Sequence, residues 1–145
     1  MTEFQPLRKD FAQTVRAMFD TIPIHQTMGI ELDDLEPGFA TGHMPLAEAF
    51  TQQNGYLQAG AILALADAVG GAAGYTLMAE GENILSVNFS ISMLRPVAAE
   101  EICAEGRVIK AGKRLYFVEV ILSPAGEKKV KTKPLTVVNI TLTAA

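Results

Sequence analysis

The sequence predicts an α+β fold in which a curved antiparallel sheet wraps around one long, apolar central helix. Three observations point to it. The stretch from Gln58 to Met78 is rich in Ala and Leu and carries one charge, Asp67; a helix that is apolar all round is expected to be surrounded by protein. Residues 84–95 alternate apolar and polar side chains, the pattern of a strand with one face on a core. The segments that follow are strand-like and joined by short turns, which favours antiparallel neighbours.

The elements follow in order. An N-terminal helix is expected within residues 1–22. Its amphipathic part is 5–20, where Leu7, Phe11, Val15, Met18 and Phe19 recur every three to four residues, and Pro23 is expected to end it. Strands are predicted at 27–34 and 38–45 around the turn Glu36-Pro37-Gly38, then a polar loop over 46–57. The central helix spans 58–79. Its length would suit a membrane span, but an acid at mid-span and four glycines argue against one. In the next strand, 84–95, Leu85, Val87, Phe89, Ile91 and Met93 should face the core, and Ser86, Asn88, Ser90 and Ser92 should face away. Residues 102–110 and 115–123 read as a hairpin across Ala111-Gly112-Lys113-Arg114. A last strand is expected over 129–143, with an edge or bulge at Pro134. The four later strands should form a meander.

The 145 residues are expected to form a single domain, 1–145, and their 49% apolar content argues against disorder. The charge, −4 overall, is uneven. Residues 1–106 hold 4 Lys/Arg against 14 Asp/Glu, and residues 107–145 hold 8 against 2. A basic C-terminal third could attract an anionic ligand such as a nucleotide phosphate, or simply be solvated. Nucleic acid is a poor partner for an acidic chain whose basic stretch has few aromatics. One cysteine, Cys103, excludes an internal disulfide and suits the cytoplasm. The start Met1-Thr2-Glu3-Phe4 lacks a basic-then-apolar pattern, so no signal peptide is expected. No metal site is expected: His25 and His43 are single and far apart, and Asp33, Asp34 and Glu36 read as a solvated run.

Three pieces of the sequence, in order, resemble the hotdog-fold acyl-CoA thioesterases of the PaaI-like group, in the 4-hydroxybenzoyl-CoA thioesterase superfamily. The resemblance covers about residues 20–143. The first piece is Thr51-Gln52-Gln53-Asn54-Gly55-Tyr56-Leu57-Gln58-Ala59-Gly60-Ala61, similar to the loop entering the family's His-Gly-Gly helix start. The second is Leu65-Ala66-Asp67, at the spacing of the family's catalytic carboxylate. The third is Ser86 to Pro96, similar to the family's strand ending in Arg-Pro. One departure is clear: Gln58-Ala59-Gly60 stands where the family often has His-Gly-Gly. Replacing Gly by Ala keeps a backbone N–H, whereas replacing His loses its side-chain contact.

Thioester hydrolysis needs a carboxylate as base or nucleophile, a positioned water and donors for the thioester oxygen. Asp67 is the candidate carboxylate, because a lone acid inside a buried helix is costly unless function or hydrogen bonds retain it. The N–H groups of Ala59 and Gly60, in the first turn of the helix, are the candidate oxyanion donors. Ala59 and Asp67 are eight residues apart, about 12 Å along a helix. One thioester carbon cannot approach both within a subunit, so a homo-oligomer with shared sites is expected, a dimer or a dimer of dimers. The resemblance implies the same, and it implies roles for Gln52, Gln58 and Ser86 at the thioester or its water. Gln53 and Asn54 compete with Gln52, and Asn54 and Gly55 belong to the candidate binding loop. Arg95, Lys110, Lys113 and Arg114 are candidates for the CoA phosphates. No cofactor is required, since the CoA thioester is the substrate. The rival readings are a non-catalytic acyl-CoA-binding hotdog protein and a hotdog enoyl-CoA hydratase or dehydratase. Phe50 and Tyr56 are expected to line the acyl pocket.

Overall fold

The computed structural model describes residues 4–125 and 134–145. The elements are α1 (Phe11–Asp20), α2 (Pro23–Met28), β1 (Glu31–Glu36), β2 (Phe39–Pro45), a 3-10 turn (Glu48–Phe50), α3 (Ala59–Tyr75), β3 (Ile84–Met93), β4 (Glu101–Ala111), β5 (Leu115–Pro124) and β6 (Thr136–Ala144). The six strands form one antiparallel sheet in the order β1-β2-β4-β5-β6-β3. Helix α3 lies across this sheet, touching every strand. This is the expected hotdog arrangement.

The core sits where α3 meets the sheet. Leu65, Val69 and Ile62 of the helix are sealed against Val118, Val120, Ile140 and Leu142. Each such aliphatic side chain contributes about 1.5–3 kcal/mol through its burial. The helix comes close because glycine faces glycine: a Cβ on Gly106 of β4 would stand 3.3 Å from Gly70 Cα and 3.1 Å from Val69 O.

Several expectations are corrected. Helix α1 starts at Phe11, not at 5, and Leu7 is exposed. Pro23 does not merely end a helix; it opens a second one, α2. Its missing N–H and fixed φ suit a first helical position. Gly29, at φ 71°, then stops α2 in the left-handed region, so β1 begins at Glu31 rather than 27. Helix α3 is shorter than 58–79. It is also not buried on all sides: Gly60, Leu63, Ala64, Asp67, Gly71 and Tyr75 form an open stripe. The sheet covers one side of a helix, and an equally apolar second side needs another cover.

The meander holds only for β4-β5-β6. Strand β3 pairs with β6 and forms the far edge of the sheet. Helix α3 carries the chain across from β2, and residues 94–100 return it to β4. The apolar residues of β3 are therefore not sealed within the protomer: Leu85, Val87 and Met93 are each more than half exposed. Nor does the alternation run unbroken. A bulge between Ser86 and Asn88 shifts the register, so Ser86 shares a face with Phe89, Ile91 and Met93, while Leu85 joins Asn88, Ser90 and Ser92. The last strand begins at Thr136, after Pro134; residues 129–133 of its expected start lie outside the described residues. Among the described residues, no helix is long and apolar enough to cross a membrane.

Candidate active site

Two clusters stand at opposite ends of β3. The first is built on Asp67, on the open stripe of α3. Asp67 is half-buried rather than sealed in. The Ser86 hydroxyl donates to its Oδ1 at 2.6 Å. Only the register shift after Ser86 turns that hydroxyl toward the helix. Both residues line a cavity of about 340 Å³ whose remaining walls are largely apolar, including Met18, Phe19, Ile22, Ala64, Ile84 and Leu142.

His25 lines this same cavity, and sequence reasoning had set it aside. It is 7% exposed, and its ring packs on Phe19 with centroids 4.0 Å apart. Its Nδ1 lies 3.0 Å from the Phe19 carbonyl oxygen. Burial pushes the imidazole below the usual histidine range, against opposing effects of the Phe19 hydrogen bond and the Asp67 charge. The signal that could have found it is the pairing of Pro23 with Gly29, which frames a short helix carrying His25.

The second cluster is the N-terminus of α3. Gln58 is its N-cap, and Gln58 Oε1 accepts from the Gly60 N–H at 2.5 Å. Of the two expected oxyanion donors, Gly60 is therefore already engaged. The Ala59 N–H has no acceptor among the described residues. Because Gly60 supplies a donor, the atom facing it must be the amide oxygen, which leaves the Gln58 NH₂ without a partner among the described residues. Gln52 is held alike, with its Oε1 accepting from the Asn54 N–H at 2.5 Å. Gln52, Gln58, Ala59, Tyr56, Met93 and Arg95 line a cavity of about 460 Å³. Phe50 instead lines a third cavity, with Gly60 and Ala61.

Other candidates are not brought together. Asn54 and Gly55 sit exposed at the tip of the turn, where Gly55 has φ 83°, and line none of these cavities. Arg95 follows β3 beside Leu135, whereas Arg114 bonds Ala144 at the other end of β6. The length of β6, about 26 Å, separates Arg95 from the hairpin bearing Lys110, Lys113 and Arg114. Asp67 and Ala59 line separate cavities, as their helical spacing requires. Among the described residues, no group of three or more His, Cys, Asp or Glu could hold a metal ion.

The sequence matches the thioesterase superfamily over residues 54–131. The proofreading thioesterase EntH of Klebsiella pneumoniae is 28% identical over 95 residues, 66% of this chain and 69% of that one. A thioesterase family protein from Silicibacter pomeroyi superposes with a TM-score of 0.85 at 30% identity, covering 92% of this chain and 97% of its own. The PaaI protein of E. coli superposes with a TM-score of 0.83 at 18% identity, over 96% of both chains, a likeness of fold.

Proposed function

The chain belongs to the thioesterase superfamily, and from that premise we propose that it hydrolyses an acyl-CoA thioester to the free acid and CoA. The observation that carries this reading is a Ser86-bound Asp67 on the wall of an otherwise largely apolar cavity.

Asp67 takes a proton from water as the water oxygen attacks the thioester carbon, or it attacks that carbon itself and water then cleaves the anhydride. In both cases the C–S bond breaks and CoA leaves as its thiol. Ser86 spends its only proton on Oδ1, so its lone pairs can accept from the water. The developing oxyanion is held by the Ala59 N–H and the Gln58 NH₂, at the positive end of α3. Gln58 thus takes a donor role, its side chain oriented by the Gly60 N–H.

These groups meet only across two subunits. Strand β3 is an exposed ten-residue edge with apolar side chains, suited to pairing with a second copy. An antiparallel β3–β3 pair centred between Phe89 and Ser90 sets Ser86 opposite Met93 of the partner subunit. The Asp67 cavity of one protomer then abuts the α3 N-terminus of the other. The Lys113-Arg114 hairpin falls at the same end of the joint sheet as the partner's Arg95. They are three strand spacings apart, about 14 Å, within reach of one CoA molecule. The lone Cys103 is in keeping with a cytoplasmic enzyme.

The test is free-thiol release from aromatic and aliphatic acyl-CoAs by wild type and Asp67→Asn. Wild-type hydrolysis that falls at least about a hundredfold in the variant, with an unchanged circular dichroism spectrum, is expected. No release from any substrate, or equal rates, would overturn the reading.

A further inference from the structure

The cover of the Asp67 cavity hangs on one short stretch of β1. Helices α1 and α2 supply Met18, Phe19, Ile22, Ile24 and His25 to the cavity wall. The two helices are bonded to each other, His25 Nδ1 to the Phe19 carbonyl and Gln26 Nε2 to the Asp20 carbonyl. Beyond the apolar burial of Val15 and Phe19, little ties the pair to the rest of the chain. Apart from bonds to the adjoining residues 10, 29 and 30, the hydrogen bonds that leave it, among the described residues, run from Arg16 to two carbonyls, Leu32 at 3.3 Å and Asp33. That stretch of β1 is itself loosely laddered. Its register with β2 shifts after Leu32 and resumes at Leu35.

His43 of β2 grips the same stretch. Glu31 and Asp33 lie two residues apart on β1, and the imidazole stands between them, Nδ1 2.9 Å from Asp33 Oδ2 and Nε2 3.1 Å from Glu31 Oε2. A neutral imidazole has one N–H, so it can serve one carboxylate and turns a bare lone pair on the other. Only the imidazolium fits both. The groups facing it from β4 are Cys103, directly opposite, with Glu101 and Glu105 one step to either side; Glu105 is paired with Arg107. The Asp33 hydrogen bond raises the ring's titration above the ordinary histidine range. We propose that His43 is a pH-sensitive clamp on β1: as an imidazolium it pins Glu31 and Asp33 and keeps the α1–α2 cover closed over the Asp67 cavity, and on losing its proton it releases Glu31 and the cover loosens. The cover is thus held below the raised titration and loosens as pH climbs through it. Within the cover, burial lowers the titration of His25, so its own charging acts in a separate, more acidic window. The clamp does not depend on the hydrolase reading.

The experiment is amide hydrogen exchange of residues 11–28 across pH in wild type, His43→Gln and His43→Lys, with circular dichroism and thermal melts to verify folding. Comparing the proteins at one pH removes the intrinsic pH dependence of exchange. Gln cannot take a charge and stands for the released state; Lys stays charged and stands for the clamped one. At mildly acidic pH, wild type should exchange like the Lys variant and about two- to fivefold more slowly than the Gln variant. At alkaline pH it should exchange like the Gln variant and about two- to fivefold faster than the Lys variant. Strand β6, far from the clamp in the sheet order, should not change, which separates a local release from a general loss of stability. Asp33→Asn keeps the ring but removes its closest carboxylate, and should flatten the pH dependence as His43→Gln does. Equal exchange of residues 11–28 in wild type and the variants at every pH, or a change of the same size in β6, would overturn the proposal. The readout needs no turnover, so a failure to cleave any acyl-CoA sinks the hydrolase reading and leaves this test standing.

Discussion

Asp67 and the two histidines show how one residue's setting decides its chemistry. His43 lies among acids: its Nδ1 is 2.9 Å from Asp33 and its Nε2 is 3.1 Å from Glu31. The Asp33 hydrogen bond, outweighing burial, raises the imidazole above its ordinary range. A raised value means that the folded state favours the protonated ring. The stabilisation is full below the ordinary histidine titration and fades as pH rises through the raised one. His43→Gln should therefore cost about 0.2–1 kcal/mol in urea unfolding at mildly acidic pH, while the carboxylates remain ionised, and nothing at alkaline pH. A gap that widens with pH would contradict this. His25 has the opposite sign. Burial lowers it, so protonation favours the unfolded chain, and its stabilising neutral form is lost as pH falls. The two rings look alike in the sequence; one is tuned by carboxylates on neighbouring strands, the other by the cover of α1 and α2.

At the scale of elements, two features place α3 and the site. The first is the contact of Gly70 with Gly106, where helix backbone nearly touches sheet backbone. Gly106→Val would drive a side chain into Val69 O and Gly70 Cα, which cannot move as a rotamer can. A loss of about 1–3 kcal/mol in denaturant unfolding is expected. An unchanged midpoint would mean that α3 can lift off the sheet at little cost. The second is the β3 bulge. Strict alternation would put Ser86 on the face opposite Phe89, away from α3; the shift between Ser86 and Asn88 reverses this. Alternation is visible in the sequence, but a one-residue slip within it is not, because it is decided by pairing with β6.

For the whole molecule, the decisive fact is that the two clusters occupy separate cavities. Ala59 is the first residue of α3, where proline is tolerated, and Gln58 before it already has the extended backbone that proline requires, with φ −72° and ψ 146°. Ala59→Pro should thus delete one free N–H without breaking the helix, and kcat should fall about 10²–10³-fold. Co-folding Ala59→Pro chains with Asp67→Asn chains then tests shared sites. In a mixed dimer one site receives both defects and the other receives neither. The mixture should recover about a quarter of wild-type activity if symmetric dimers pair at random. No recovery would confine each site to one chain.

Much of this was legible in the chain itself. Alternation, turn residues and one uninterrupted apolar helix determined the fold class, because periodicity and propensity act locally. The isolation of Asp67 on that helix marked it as the candidate carboxylate, and the helical rise alone separated it from Ala59. What only the tertiary structure decided depends on residues distant in sequence. Pairing with β6 made β3 an exposed edge and turned Ser86 toward Asp67. The capping of Gly60 by Gln58 left Ala59 as the free backbone donor. The fold of α1 and α2 over α3 brought His25 into the Asp67 cavity. Such contacts form only when the chain closes on itself, and no local pattern encodes which partner each residue will meet.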